Sequence, residues 1–196
     1  GSVGGMDFLL SGGAKIEGLV VDDGGRPVSG ASFSIRDRKT GTPVVQNEVW
    51  MARSDENGRF SLPGMRAGEY VLGVHAEGHA SSQRIVRVSV GRDVSVEFRL
   101  PVAGKIQIAA RDAAGGPVAG ATLALIDAEG NPVESSMGIE DLLDPSRWKT
   151  GADGRIERGG IAPGHYRGEL TEGARKAQFE VEIVAGQVAE VGAVLR

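Results

Sequence analysis

His75 and His79 are the residues whose spacing first suggests chemistry, because imidazoles four apart on a helix share a face and can hold a metal. Their setting argues otherwise. They follow the strand-like run Tyr70-Val-Leu-Gly-Val74, and Gly78 places a turn between them. Neither has a carboxylate partner at metal-ligand spacing, and the third histidine, His165, stands far away in sequence. No Ser/His/Asp order or Gly-x-Ser-x-Gly elbow marks a nucleophile. The chain has no cysteine, which excludes thiol catalysis, thiolate zinc sites, iron–sulfur clusters and disulfides. No catalytic residue, cofactor or metal site is expected. What remains is Trp50 and Trp148, each standing shortly before an Asn-Gly or Asp-Gly turn. Tryptophan near a loop is a frequent contact for a sugar or a protein, and equally it can fill the edge of a sheet. These two are the candidate partner contacts.

The elements that position them are written twice. Ile16-Glu-Gly-Leu-Val-Val-Asp-Asp-Gly-Gly-Arg-Pro-Val-Ser-Gly-Ala31 recurs as Ile106-Gln-Ile-Ala-Ala-Arg-Asp-Ala-Ala-Gly-Gly-Pro-Val-Ala-Gly-Ala121, at a constant offset of 90 residues. Asn57-Gly58-Arg59 then matches Asp153-Gly154-Arg155, and Gly64 through Tyr70 matches Gly160 through Tyr166, both at an offset of 96. Such a period is too long for a solenoid repeat and is the length of a small domain. The chain therefore divides into a leader at 1–14, a first domain at 15–100, a linker at 101–103 and a second domain at 104–196.

Composition sets the class. Of 196 residues 40% are hydrophobic but only 5% aromatic, so the cores must be built mainly from Val, Ile, Leu and Ala. Net charge is −4 with the signs interspersed, which argues against nucleic acid and against an anionic membrane surface as partners. No apolar run approaches the roughly 20 residues that span a bilayer. Gly1-Ser2 reads as the scar of a removed tag and Gly4-Gly5 as linker, so the chain is expected to be part of a longer protein.

Apolar residues alternate with period two, as in Phe33/Ile35 and Val94/Val96/Phe98/Leu100, and in the second half Leu123/Leu125 and Phe179/Val181/Ile183. Asp23-Gly-Gly-Arg-Pro27 and Ala114-Gly-Gly-Pro117 make tight connections, and Asn57-Gly58 and Asp153-Gly154 are hairpin signals. These predict an all-β chain of two consecutive antiparallel β-sandwiches with about seven strands each. The second half carries six more residues between Ala121 and Gly154 than the first carries between Ala31 and Gly58. Ser136–Trp148 is read there as a short helix, capped by Ser136 and ended by Asp144-Pro145. Pro101-Val-Ala103 is too short to let the domains swing, with Gly104 as the one permissive joint. Met6-Asp-Phe-Leu-Leu10 is expected to pack on the first domain or into the junction.

Gly18 to Ala31, then Asp55-Glu-Asn-Gly-Arg-Phe60-Ser-Leu62 through Tyr70, then Ala76-Glu-Gly78-His79, resembles the carboxypeptidase regulatory-like domain. The resemblance covers 15–100. The second copy keeps the first block with Gly154, Gly160, Gly164 and Tyr166, but has Arg155-Ile156-Glu157 where the family prefers an aromatic and Glu172-Gly173-Ala174 at the Ala-Glu-Gly corner. The resemblance implies a transthyretin-like (prealbumin-like) seven-stranded sandwich and a non-catalytic accessory role, usually outside the cytoplasm. Intradiol dioxygenases share this sandwich and bind ferric iron with two tyrosines and two histidines. Here Tyr70 and Tyr166 fall one per repeat and cannot converge. Hydroxyisourate hydrolases end in Tyr-Arg-Gly-Ser, whereas Tyr166-Arg-Gly-Glu169 is internal and lacks the serine. Pilin-type sandwiches join a lysine to an asparagine. Lys15 and Lys105 begin first strands, but the closing strands hold no asparagine. The expected function is a structural or protein-binding spacer or adaptor in a bacterial envelope or secreted protein. The expected partners are another protein or domains of the same longer chain. It is expected to act as a monomer, without membrane insertion. The alternative is a carbohydrate-binding module that docks an enzyme on a polysaccharide.

Overall fold

The computed structural model describes residues 13–44, 47–133 and 148–196. The expected helix at 136–148 lies outside them except for Trp148, and so does the leader segment Met6–Leu10. In the first half the strands are β1 (Ala14–Asp22), β2 (Ser32–Asp37), β3 (Arg59–Met65), β4 (Gly68–His75), β5 (Ser82–Val88) and β6 (Val94–Leu100). One turn of helix, α1 (Asn47–Trp50), stands before β3. The second half runs β7 (Gly104–Arg111), β8 (Thr122–Ile126), β9 (Arg155–Ile161), β10 (Gly164–Glu172), β11 (Arg175–Ile183) and β12 (Val188–Val194). Among the described residues each half thus has six named strands plus a further extended segment, which touches a sheet through a bridge: Ser32↔Arg53 in one half and Thr122↔Lys149 in the other.

The strands form four three-stranded sheets, β3-β1-β6 and β2-β4-β5, then β9-β7-β12 and β8-β10-β11. Pairing is antiparallel with one exception per half: β1 runs parallel to β6 and β7 parallel to β12. The exception follows from the route of the chain. After β5 the chain leaves one sheet and returns to the other beside β1, so the first and last strands of the unit meet head to head. The Asn57-Gly58 turn also differs from a simple hairpin. It forms the tight turn expected, with Gly58 N–H donating to Asp55 O at 2.9 Å, but it carries the chain from the bridge at Arg53 to β3 on the opposite sheet.

Two separate apolar clusters result, one within 14–100 and one within 106–195. The first is built around Phe33, Phe60 and Phe98, with Phe33 and Phe60 ring centroids 4.3 Å apart. At the equivalent register positions the second core has Leu123, Ile156 and Ala193. It recovers volume elsewhere. The buried Leu72, opposite Arg84 in the first half, corresponds to Gly168 opposite Phe179 in the second. The Phe179 ring lies directly over Gly168, only 2.1 Å from where a Cβ would stand. A large apolar side chain on one strand of the pair, Leu72, is replaced by one on the opposite strand, Phe179, which keeps the layer filled.

The polar skeleton of the two halves is the same. Val20 N–H donates to Gly58 O at 2.8 Å, and Ala110 N–H to Gly154 O at 2.8 Å. Ser54 is buried, its hydroxyl donating to Val28 O at 2.7 Å and accepting from Ala31 N–H at 2.9 Å. Thr150 repeats both bonds with Val118 O at 2.7 Å and Ala121 N–H at 2.9 Å. Tyr70 O–H donates to Arg66 O at 3.0 Å and Tyr166 O–H to Ala162 O at 2.8 Å. These bonds satisfy main-chain groups that sheet pairing leaves over, as buried polar groups require.

Candidate functional site

The histidines are dispersed. His75 is exposed with Nδ1 2.9 Å from Ser81 Oγ, His79 places Nδ1 2.9 Å from Glu77 O, and His165 is exposed on β10. Among the described residues no group of three or more His, Cys, Asp or Glu could hold a metal ion. Tyr70 and Tyr166 each sit in their own core.

The two tryptophans have different surroundings. Trp50 ends α1 and is 43% exposed beside Met51 at 81%. Arg53 caps that turn, donating from Nη1 to Trp50 O at 3.1 Å and to Ala52 O at 2.7 Å, as a cation does for the last carbonyls of a helix. Val49, its neighbour, is buried and anchors the turn to the core. Trp148 is half-buried against the second core, with the guanidinium carbon of the buried Arg158 4.3 Å from its ring centroid. Its ring face is therefore engaged in a cation–π contact. Trp50 stands on the first half and Trp148 packs on the second core, and of the two indoles Trp50 is the more exposed.

The junction between the halves is the more constructed place. Ala80 N–H donates to Pro101 O and Ala103 N–H to Gly78 O, both at 2.9 Å, with a bridge at His79↔Val102. On the other side Gly186 N–H donates to Ala103 O at 2.9 Å and Lys105 N–H to Gln187 O at 2.8 Å. The linker is thus an extended segment bonded to the Gly78–Ala80 loop of one half and the 186–187 turn of the other. Gly104 is not the permissive joint expected. It belongs to β7, is buried, and a Cβ there would lie 2.5 Å from both Ile183 Cγ2 and Val184 O. Close packing, rather than freedom of φ, calls for glycine here.

An open cleft of about 550 Å³ lies beside the linker, lined by Asp22, Arg26, Val28, Glu77, His79 and Val102 among others. Asp22 is buried and its carboxylate is fully used. It accepts from Arg26 N–H at 2.9 Å and Arg26 Nε at 2.8 Å, and Asp22 N–H donates to Arg26 O at 2.9 Å. These bonds, the Arg26 backbone N–H first, hold its carboxyl below the ordinary value of 3.8. A depressed folded value means that Asp22 stabilises the fold fully above the ordinary carboxylate range, and that this contribution disappears as pH falls through the folded value. Asp22→Asn should therefore be less stable than the parent near neutrality, with the gap narrowing as pH falls below the ordinary carboxylate value of 3.8. Urea melts near neutrality and below that value would measure this, and a gap independent of pH would contradict it.

Residues 15–101 match the family model of the carboxypeptidase regulatory-like domain. Its first sandwich is therefore similar to carboxypeptidase regulatory-like domains. The match begins at Lys15 in β1 and ends at Pro101, where the linker begins, so it takes in every strand of the first sandwich. Carboxypeptidase regulatory-like domains are non-catalytic. No curated protein matches the chain. Among solved structures, the TIE protein of Bacillus anthracis is similar at 20% identity and a TM-score of 0.39, over 93% of this chain and 34% of that one. A streptococcal ancillary pilin is similar at 15% identity and 0.41, over 93% and 62%. A minor pilin of Streptococcus agalactiae is similar at 14% identity and 0.41, over 93% and 95%. This chain thus spans about a third and under two thirds of the first two.

The sequence reading overlooked Ser54 and Thr150. The signal was available: at the offset of 96 the two hydroxyl residues align, just before the Asn/Asp-Gly turns.

Proposed function

We propose that this chain is a non-catalytic spacer of a larger extracytoplasmic protein, made of a regulatory-like domain at 15–100 and a divergent second copy at 104–196 held at a fixed angle. The junction carries the reading. Of the linker residues, Pro101 and Ala103 both have main-chain groups bonded, and Ala103 bonds to both halves at once. A joint of this kind transmits orientation, whereas a Gly/Ser linker would decouple the two units. The repeated hydroxyl staples and tyrosine bonds serve the same end by making each unit stiff.

Small-angle scattering tests it. The chain should give a single elongated particle fitted by one interdomain angle, and a Gly-Ser insertion after Val102 should broaden that to a distribution. A compact profile, or a parent already as broad as the insertion variant, would refute the spacer reading.

One observation favours a second reading, a carbohydrate-binding module: Trp50 is exposed beside Met51 on a capped turn. Quenching of Trp50 emission by soluble glycans would support it, and an unchanged spectrum across a glycan panel would set it aside.

A further inference from the structure

The outward faces of two matching sheets carry opposed charge patterns. On β2-β4-β5, on the side away from the buried Tyr70, Leu72 and Val74, the register sets Arg36, Val71 and Ile85 in one row. Glu69 and Arg87 make the next row, with Arg38 beside them through Arg38 N–H to Glu69 O at 2.9 Å. On β8-β10-β11 the corresponding rows are Ile126, Arg167 and Glu180, then His165 and Glu182. Ile85 thus corresponds to Glu180, Arg87 to Glu182 and Arg36 to Ile126. The contrast extends to the whole halves: 15–100 holds 12 Lys and Arg against 11 Asp and Glu, and 104–196 holds 10 against 14. Ile85 is 58% exposed and Ile126 40%, so neither is covered within the chain.

The two faces fit each other when one is turned about an axis parallel to its strands and laid on the other, as aligned sheets stack about 10 Å apart. β2 then lies over β11, β4 over β10 and β5 over β8. Arg36 meets Glu180, Arg38 meets Glu182, Glu69 meets His165 and Ile85 meets Ile126. Glu169 falls over Gly73, which has no side chain to oppose it. No charge faces its like. Either face laid on its own kind in the same way would set Glu69 on Glu69 or Glu169 on Glu169, which is destabilising.

We propose that the outward face of β2-β4-β5 is a docking surface for a second copy of this chain, whose β8-β10-β11 face covers it, with the contact made twice across a two-fold axis. The area calls for the reciprocal arrangement. Three strands about 4.8 Å apart and about 20 Å long cover roughly 300 Å². Counted on both partners and made twice, this reaches about 1,200 Å², the lower end of specific interfaces. The dimer departs from the monomer expected of the sequence, and it does not rest on the spacer reading.

Arg36 and Glu180 provide the test. Among the described residues neither has an ion-pair partner in its own chain, and Arg36 reaches Gln83 Oε1 at 3.5 Å. Sedimentation equilibrium should show a reversible dimer for the parent, weakened by added salt. Arg36→Glu alone and Glu180→Arg alone should each weaken it about tenfold, since each turns two attractive contacts per dimer into repulsive ones. The two variants mixed, or both changes in one chain, should regain the parent's affinity, because the new carboxylate then meets the new guanidinium. Arg99→Glu, a reversal on the outward face of β6, should leave the dimer constant unmoved, and melting curves would confirm that every variant folds. A parent that remains monomeric up to about 1 mM overturns the proposal. So do single reversals without effect, or a mixture that associates no better than either variant alone.

Discussion

Gly58→Ala should destabilise the first half by about 2–5 kcal/mol. Two costs coincide. The backbone there has φ +73°, which an L side chain adopts only with strain, and the new Cβ would lie 2.3 Å from Val20 O. That oxygen belongs to a residue already committed twice: Val20 N–H donates to Gly58 O, and Val20 O accepts from Val28 N–H at 2.9 Å. Relief would have to move β1 itself. Gly30 provides the control, since it has φ +74° but open space where a Cβ would go. Gly30→Ala should therefore cost only the conformational part, about 1 kcal/mol. Urea unfolding followed by Trp50 emission in a Trp148→Phe background would separate the two. Equal losses at both sites would mean that the approach to Val20 is not what matters. Gly154, with φ +72° and Ala110 O 2.5 Å from its absent Cβ, should behave like Gly58.

The second large effect concerns a hydroxyl. Ser54→Ala should cost about 2–4 kcal/mol, although it removes a single oxygen atom. The loss is large because both partners stay behind. Val28 O and Ala31 N–H would remain in a buried site with no acceptor or donor, and an orphaned polar group costs more than a made bond contributes. Thr150→Val, close to isosteric, should lose a similar amount in the second half for the same reason. Because the halves use the two hydroxyl residues interchangeably, Ser54→Thr and Thr150→Ser should be mild. Denaturant midpoints for the four variants give the test. A Ser54→Thr as damaging as Ser54→Ala would show that the site reads side-chain volume rather than the hydroxyl.

These two sites mark what a sequence reader can and cannot see here. Gly58 was legible, because Asn-Gly has few other uses and because the same dipeptide type recurs one period later as Asp153-Gly154. The alternation that defines β1, β4, β6 and their counterparts was legible for the same reason, since period two has only one structural meaning. Ser54 was not, because a serine before a turn looks like turn chemistry, and its partners Val28 and Ala31 lie more than twenty residues earlier, in the connection between β1 and β2. The parallel pairing of β1 with β6 was hidden too. Nothing local in Val94–Leu100 tells which way its neighbour runs; that depends on how many times the chain has crossed between sheets. Gly104 misled for a related reason. A glycine at a boundary suggests freedom, and only the packed positions of Ile183 and Val184 reveal that it is there to make room. For the candidate site, the sequence pointed to both tryptophans equally, and the Arg158 contact that occupies Trp148 comes from a strand ten residues further on.

The parallel closure has a mechanical consequence. β1 enters at the same end as β6, and the chain leaves from the opposite end of β6 after seven paired positions, Ile16↔Val94 through Asp22↔Leu100. A pull on the two ends of the unit is then directed along the strands, and the bonds between them are loaded together in shear. They cannot be opened one after another from a free end, as in a zipper. β7 and β12 repeat the geometry with another seven pairs, Val188↔Lys105 through Val194↔Arg111. Resistance to force is set by the barrier to unfolding, and a barrier that requires many bonds to break at once is a high one. Each unit is latched by the strands that carry its ends, so tension applied along the polypeptide meets the sandwich where it is hardest to open.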